Sequence, residues 1–473
     1  MQTVSIKKAT TITVIGKYSG VVIQFVYLAI LSRILTPTEF GVVAIITVFT
    51  TFFALFSNMG IGPAIIQNKS LNNQDIKSIF ALTFYIALTV TLVFSLLGFP
   101  LAIFFSNDAY RVIAPLISIS LFFNTINIVP NALLLKGLRF KLVTLRTITV
   151  ALVSAAVTIY LALIGFSYYA IVAHSIIMAV MTFFWNTIFS RASFGFRTNR
   201  SSLAKIVEFS KYQYGFSLIN YFSRNLDNLL IGRFIGDTQL GFYNRSYQLM
   251  SFPIQNFTHV ITPVLHPILS VYEDQVDIIY TKYTRILKFL SVFAIFVMVY
   301  TFFNAREIIL IVFGSQWEGS IRSLQFLSLS LWAQMLTSSS GSIFQSINKT
   351  KLFMKTGILN TIITVGLILV GILSANINVV ALLVSLAYVI RFFVVFYSLT
   401  NFGFKNSYLD FLKTFKLDFL GILVLASSSF MIDKLVLIES IIVSSLVNFI
   451  ILGAIYMLFL LLSKQYKFIL GFI

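Results

Sequence analysis

A chain of 473 residues in which 58% are hydrophobic and 10% charged, with a mean hydropathy of +0.94, excludes a soluble domain and belongs in a membrane. The absence of cysteine excludes disulfides, thiolate metal sites and cysteine nucleophiles together, and His174, His259 and His266 are too scattered to suggest a metal site. A net charge of +19 raises nucleic-acid binding as a question, which the distribution of the basic residues answers.

The first apolar run, TITVIGKYSGVVIQFVYLAILSRIL, is long enough to span and lacks the short core and small-residue cleavage site of a secretory signal. Apolar runs of spanning length follow at 12–35, 40–67, 77–104, 111–135, 143–165 and 168–190. After the polar stretch RASFGFRTNRSSLAK at 191–205 come 208–235, 239–269, 285–313, 322–347, 352–374, 377–401, 415–433 and 439–463, so fourteen transmembrane helices are predicted. With the N-terminus inside, 24 of the 34 Lys and Arg residues fall in inward segments, Lys282, Arg285 and Lys288 among them. Six fall outward, and Lys17, Arg224, Arg245 and Arg391 lie within spans. Acidic residues divide evenly, with Asp227 as the one acid expected inside a span. Both termini are therefore expected to be cytoplasmic, and insertion topology accounts for the charge without nucleic acid.

The halves repeat. LSRILTPTEFGVVA at 31–44 aligns with IGRFIGDTQLGFYN at 231–244, matching Arg33 to Arg233, Thr38 to Thr238 and Gly41 to Gly241 at an offset of 200, which Pro63 and Pro263 keep. ISISL at 117–121 further resembles LSLSL at 327–331. An even number of spans separates equivalent points, so the halves share one orientation and a cleft between them is expected.

These turns, with NMGIGPAIIQ in the first half and NLDNLLIGRFIG running into LGFYNRSYQL in the second, resemble the polysaccharide transporter family. These are the Wzx-type lipid-linked oligosaccharide flippases of the multidrug/oligosaccharidyl-lipid/polysaccharide exporter superfamily. The resemblance implies an all-α integral membrane protein of the V-shaped type, with two pseudo-symmetric six-helix lobes and two C-terminal helices. On this sequence the lobes would be 1–190 and 208–401, joined by a cytoplasmic linker at 191–207, with accessory helices at 402–473. It also implies alternating access to the two faces of the cytoplasmic membrane and substrates that are polyprenyl-pyrophosphate-linked oligosaccharides. A polysaccharide polymerase and chain-length machinery are conceivable partners.

Within the seventh span Gln213, Ser217, Asn220, Arg224, Asp227 and Ile231 share a face, and within the first Thr13, Lys17, Gly20, Gln24 and Tyr27 form a shorter stripe. Gln24 corresponds to Arg224 under the repeat. A mid-membrane charge costs at least about 2.5–3.5 kcal/mol facing lipid, so such stripes are expected to face protein or a water-filled path. Flipping breaks no bond, and no cofactor is called for; the path must hold a pyrophosphate and a glycan out of lipid. Arg224, Lys17 and Arg391 are the expected phosphate contacts, with Asn220, Asn228 and Gln24 as neutral neighbours. Against this, Arg224 and Asp227 could form an intrahelical pair, Lys17 could snorkel, and Arg245 reads as structural. His259 and His266 beside Pro263 read as structural ahead of a proton relay.

No GxxxxGK[ST] loop occurs, so an ion gradient or passive exchange is expected, with Asp227 as the candidate H⁺ or Na⁺ site. A multidrug exporter would want an anionic cavity, whereas mid-span cations dominate. A membrane glycosyltransferase or polymerase would need catalytic groups on substantial external loops, and these are a few residues long. A transporter is therefore expected, not an enzyme.

Overall fold

The computed structural model describes residues 6–58, 60–68, 70–199, 221, 225–435 and 439–470. Their regular elements are all helical, in the order α1 (Ile6–Ile34), α2 (Pro37–Asn58), α3 (Ile61–Gln67), α4 (Asn73–Phe105), α5 (Ala109–Ile126), α6 (Ile128–Lys136), α7 (Phe140–Leu163), α8 (Tyr168–Ser190), α9 (225–234) and α10 (Asp237–Ser270). Then follow α11 (Val276–Phe303), α12 (Ala305–Val312), α13 (Ile321–Ser328), α14 (Leu331–Thr337), α15 (Ser340–Ser346), α16 (Thr350–Leu373), α17 (Ile377–Tyr397), α18 (Tyr408–Lys413), α19 (Lys416–Leu435), α20 (Ile441–Leu462) and α21 (Tyr466–Leu470).

Eleven spans among the described residues are long and apolar enough to cross a membrane. The difference from fourteen has local causes. Most of the expected seventh span lies outside the described residues, and the eighth, α10, is continuous but rich in polar side chains. The tenth is broken into α13, α14 and α15. The ninth begins at Val276 rather than 285, which carries Lys282 from the preceding loop into the helix and moves Arg285 and Lys288 from its first turn to its interior.

Contacts divide the chain into two compact units, Met1–Gly241 and Phe242–Ile473. In the first unit, α1 lies close along α7 because Gly16 and Gly20 face Thr144 and Thr147; a Cβ at Gly16 would come within 2.7 Å of the Thr144 methyl. Helix α4 starts with a reciprocal cap, in which Asp75 N–H donates to Asn72 Oδ1 at 2.8 Å and Asn72 N–H to Asp75 Oδ2 at 3.1 Å. TPTE builds the same device on α2: Thr36 N–H donates to Glu39 Oε2 at 2.6 Å, Glu39 N–H faces Thr36 Oγ1 at 3.4 Å, and Pro37 occupies the first turn, where no amide hydrogen is needed.

The division falls after Gly241, not within 191–207, because α9 packs on α2. Gly232 meets Ile45, and Tyr221 donates from its hydroxyl to the Val48 carbonyl at 2.5 Å. The described part of 191–207 instead runs along α4, where Phe196 O accepts from Tyr85 and Asn199 N–H donates to Ser78 Oγ.

In the second unit α11 is the central element, packed by α13, α14, α19 and α20. The repeat extends beyond the motifs that announced it: α7 at 140–163 and α16 at 350–373 stand 210 residues apart. The break at Asn127 between α5 and α6 has its counterpart at Ser338–Ser339, and Leu138 and Asn348 both turn through positive φ, 54° and 55°. Large apolar side chains such as Ile103, Leu163, Leu373 and Leu462 project outward, as lipid-facing positions require.

Candidate functional site

On α1 the polar stripe expected from sequence borders the surface committed to α7. Thr13, Lys17 and Gln24 are exposed, while Gly16 is buried and Tyr27 stacks on His174 with ring centroids 4.4 Å apart. His174 is further tied to Thr158 Oγ1 at 3.2 Å, so it is a satisfied packing residue. Lys17 and Gln24 thus share one accessible strip.

On α9 the described part of the second stripe is buried in protein. Asp227 is 3% exposed and Asn228 7%, and Asp227 Oδ1 accepts from the Asn228 amide N–H at 2.8 Å and from its Nδ2 at 3.3 Å. Ile231, four residues on, is fully buried. Gln213, Ser217, Asn220 and Arg224 lie outside the described residues, as do the side chains of His259, Pro263 and His266. Arg391 is half-buried in α17. Arg245 is buried in α10, its guanidinium 5.9 and 6.0 Å from the rings of Phe313 and Trp317 and bonded to Gln248, which fits the structural reading.

Asp227 is not the only acid buried in a span. Asp418 in α19 is 1% exposed, paired with Lys288 Nζ of α11 at 2.5 Å. Ser291 and Gln465 also donate to its carboxylate, and Trp332 Nε1–H donates to Ser291 Oγ at 2.6 Å. By sequence both charges count to the inward side, because each lies within the first turn of an expected span, 285–313 and 415–433. Opposite charge and three further polar groups offset the desolvation that would otherwise forbid the position.

A second cluster is one that hydropathy does not disclose. Arg146 of α7 donates from Nη1 to Asn131 Oδ1 and Asn186 Oδ1, both at 2.8 Å, and Asn186 Nδ2 donates to Asn127 Oδ1 at 2.8 Å. The cluster sits at the break between α5 and α6 and ties it to α7 and α8. Asparagines inside NTINIVPNALL and FFWNTIF are the available signal. Arg146→Met should leave the Asn131 and Asn186 carbonyl oxygens, the latter fully buried, without their charged donor and lower membrane abundance severalfold, whereas Arg146→Lys, which keeps a donor, should retain much of it; quantitative immunoblotting of membranes reads the difference.

The turns between helices converge in two sets. At one end Thr38 and Thr238 hydroxyls meet at 2.8 Å, Asn107 Nδ2 donates to Asp237 Oδ2 at 2.8 Å, and Ser167 bonds to Glu39. At the other, Lys136 Nζ donates to Asn68 O and Arg139 Nη1 to Phe189 O, both at 2.7 Å. The first unit is therefore a bundle of helices that alternate in direction.

Together these features define a polytopic helical membrane protein built from two repeated halves, with no catalytic constellation in the described residues. The same fold is seen in the lipid II flippase MurJ in an inward closed conformation, with a TM-score of 0.75 at 15% identity over 97% of this chain and 99% of that one. A family model described as polysaccharide biosynthesis protein matches residues 30–322, and the chain belongs to that family. Relatives include the teichuronic acid biosynthesis protein TuaB of Bacillus subtilis (strain 168), 24% identical over 68% of this chain and 67% of that protein. The lipopolysaccharide biosynthesis protein WzxC of Escherichia coli (strain K12) is 23% identical over 76% of this chain and 73% of its own length.

Proposed function

We propose that the protein is a flippase carrying polyprenyl-pyrophosphate-linked oligosaccharide units across the cytoplasmic membrane for a cell-surface polysaccharide. The observation that carries this reading is the conjunction of the polysaccharide biosynthesis family match with a fold that follows a lipid-linked precursor flippase over nearly the whole chain. Fourteen helices in two six-helix lobes plus an accessory pair complete the architecture. Both termini are cytoplasmic, a reading supported by the 24 of 34 Lys and Arg residues that fall in the segments assigned inward. Lys17, Arg224 and Arg391 contact phosphate, with Gln24, Asn220 and Asn228 beside them, and Asp227 is the site of any coupled H⁺ or Na⁺. A permanently charged fork suits a pyrophosphate, and a charge in a low-dielectric path acts more strongly than in water. The cationic balance is the feature that disfavours a multidrug exporter.

The test is complementation of a flippase-deficient strain by the natural chain, Arg224→Ala, Arg224→Lys and Asp227→Asn, with membrane abundance measured beside polymer output. Arg224→Ala should reach the membrane, lose most polymer and accumulate lipid-linked precursor, while Arg224→Lys retains part of the output. Full output from every variant would remove Arg224 and Asp227 from the path, and failure of the natural chain would remove the flippase reading.

A further inference from the structure

The repeat-related turns do more than mark the repeat, because they close on each other. Pro37 and Asp237 open α2 and α10, and Gly41 and Gly241 stand one turn further along each helix. A Cβ at Gly41 would overlap the Asp237 carbonyl oxygen, and one at Gly241 the Pro37 carbonyl oxygen. The two helix starts therefore cross at backbone contact, each glycine receiving the other's carbonyl. The exposed Thr38 and Thr238 hydroxyls, 2.8 Å apart, lie over this seam. Just beside it the half-buried Asp237 carboxylate accepts from Asn107 Nδ2 at 2.8 Å and faces the Tyr110 hydroxyl at 3.5 Å.

We propose that this seam is the external gate and that Asp237 is a proton-binding site whose occupation from the external side holds the gate shut. The inference rests on the flippase reading for what passes the gate, but the proton site stands on the geometry of the seam. Asp237 opens α10 two residues before the apolar run at 239–269, and burial raises its pKa above the ordinary carboxylate range, against the opposing effect of the Asn107 and Tyr110 hydrogen bonds. Opening the seam would return the carboxyl to water and to its ordinary value. The closed form thus binds the proton more tightly, so closure is favoured at acid pH. It weakens as pH rises from the ordinary carboxylate value, about 4, to the raised one, and is constant above that. The proton is taken from external water on closing and returned to it on opening.

The other charged and titratable groups at this end do not replace Asp237. Tyr110 is a hydrogen-bond donor to it, and Asp108 and Arg111 pair with each other at 3.2 Å. Glu39 is bonded to Thr36 and Ser167, with Tyr168 nearby, and Arg233 lies over the Phe104 ring at 5.3 Å. Arg33 ends α1 and is exposed.

Because the chain has no cysteine, Thr38→Cys/Thr238→Cys gives a pair without background, at a separation suited to a disulfide. The pair is oxidised with a pyridyl disulfide in liposomes at external pH 4 to 8, with and without Asp237→Asn, so that the thiols' own pH dependence divides out. The yield with Asp237 intact should equal that in the Asp237→Asn background in acid and fall to about a third of it or less at neutral pH. A ratio independent of pH overturns the proton site. Should Asp237→Asn fail to accumulate, Asn107→Ala serves, since loss of a donor to the ionised form must deepen the fall at neutral pH; an unchanged curve overturns the site equally. In cells, the oxidised pair should stop polymer export and a reductant restore it. Export through a fully cross-linked seam overturns the gate. Failure of the cysteine-free natural chain to complement would instead overturn the flippase reading, while the liposome result still decides the proton site.

Discussion

Lys288→Met should destabilise the protein by about 3–5 kcal/mol, because it leaves the Asp418 carboxylate buried without its cation. Ser291 and Gln465 would still donate to that carboxylate, but hydrogen bonds from neutral groups do not cancel a full charge in a low-dielectric interior. Asp418→Asn should be nearly as harmful, stranding the ammonium between the Phe415 and Phe468 rings at 5.5 and 5.7 Å. The double variant Lys288→Met/Asp418→Asn removes both charges and keeps a polar partner for Ser291, so it should recover most of the loss. Thermal unfolding of the purified variants in detergent measures the cycle, and a double variant no better than the sum of the singles would show that the pair does not act as a unit. The consequence is local to the second unit: this pair anchors α19 and the chain near Gln465 to α11. Loss of α19 and the chain that follows it should therefore appear first, as early protease cleavage after α18.

That pair also shows what the sequence can and cannot disclose. Apolar runs, Pro and Gly punctuation and the skew of Lys and Arg are enough to read a helical membrane protein in two repeated halves, because membranes impose those patterns span by span. Lys288 and Asp418 are 130 residues apart and each sits at the inner end of an expected span beside a polar segment, so the sequence counts both to the inward surface; only the packing of α19 on α11 turns them into a buried pair. Arg146 escapes for a similar reason, since its two asparagine partners come from α6 and α8, and Asn127 at the break before α6 joins them only through Asn186. On α1, Lys17 and Gln24 are exposed, while Gly20 and Tyr27 of the same expected stripe lie against Thr147 and His174, a division that spacing alone does not disclose. The α9 stripe is legible as interior rather than lipid-facing at Asp227 and Asn228. The repeat motif is plain in the sequence, but alignment alone cannot say that Gly41 and Gly241 touch the partner turn, since matching residues in two halves need not meet in space.

Gly41→Ala and Gly241→Ala should each disfavour the closed seam by about 1–3 kcal/mol, roughly a 5- to 150-fold shift, since the added methyl meets a backbone carbonyl that cannot rotate away. The sign separates this account from a local one. In an isolated helix the same change gains about 1 kcal/mol of propensity, so a seam without mechanical importance would leave the variants as stable as the natural chain or more so. Because the contacts are related by the repeat, the two variants should be equal in effect. The double variant should fall short of their sum, because either methyl already parts the two turns and the second then meets nothing. Disulfide yield between Thr38→Cys and Thr238→Cys, measured in each glycine background at acid pH, reports seam closure directly. Unchanged yield in the single variants would mean that the turns yield sideways at little cost, and an additive double would mean that each glycine serves a separate contact. Equal, non-additive losses would identify the seam as one two-sided joint, in which a residue type repeated at an offset of 200 is kept in both halves by the backbone of the other.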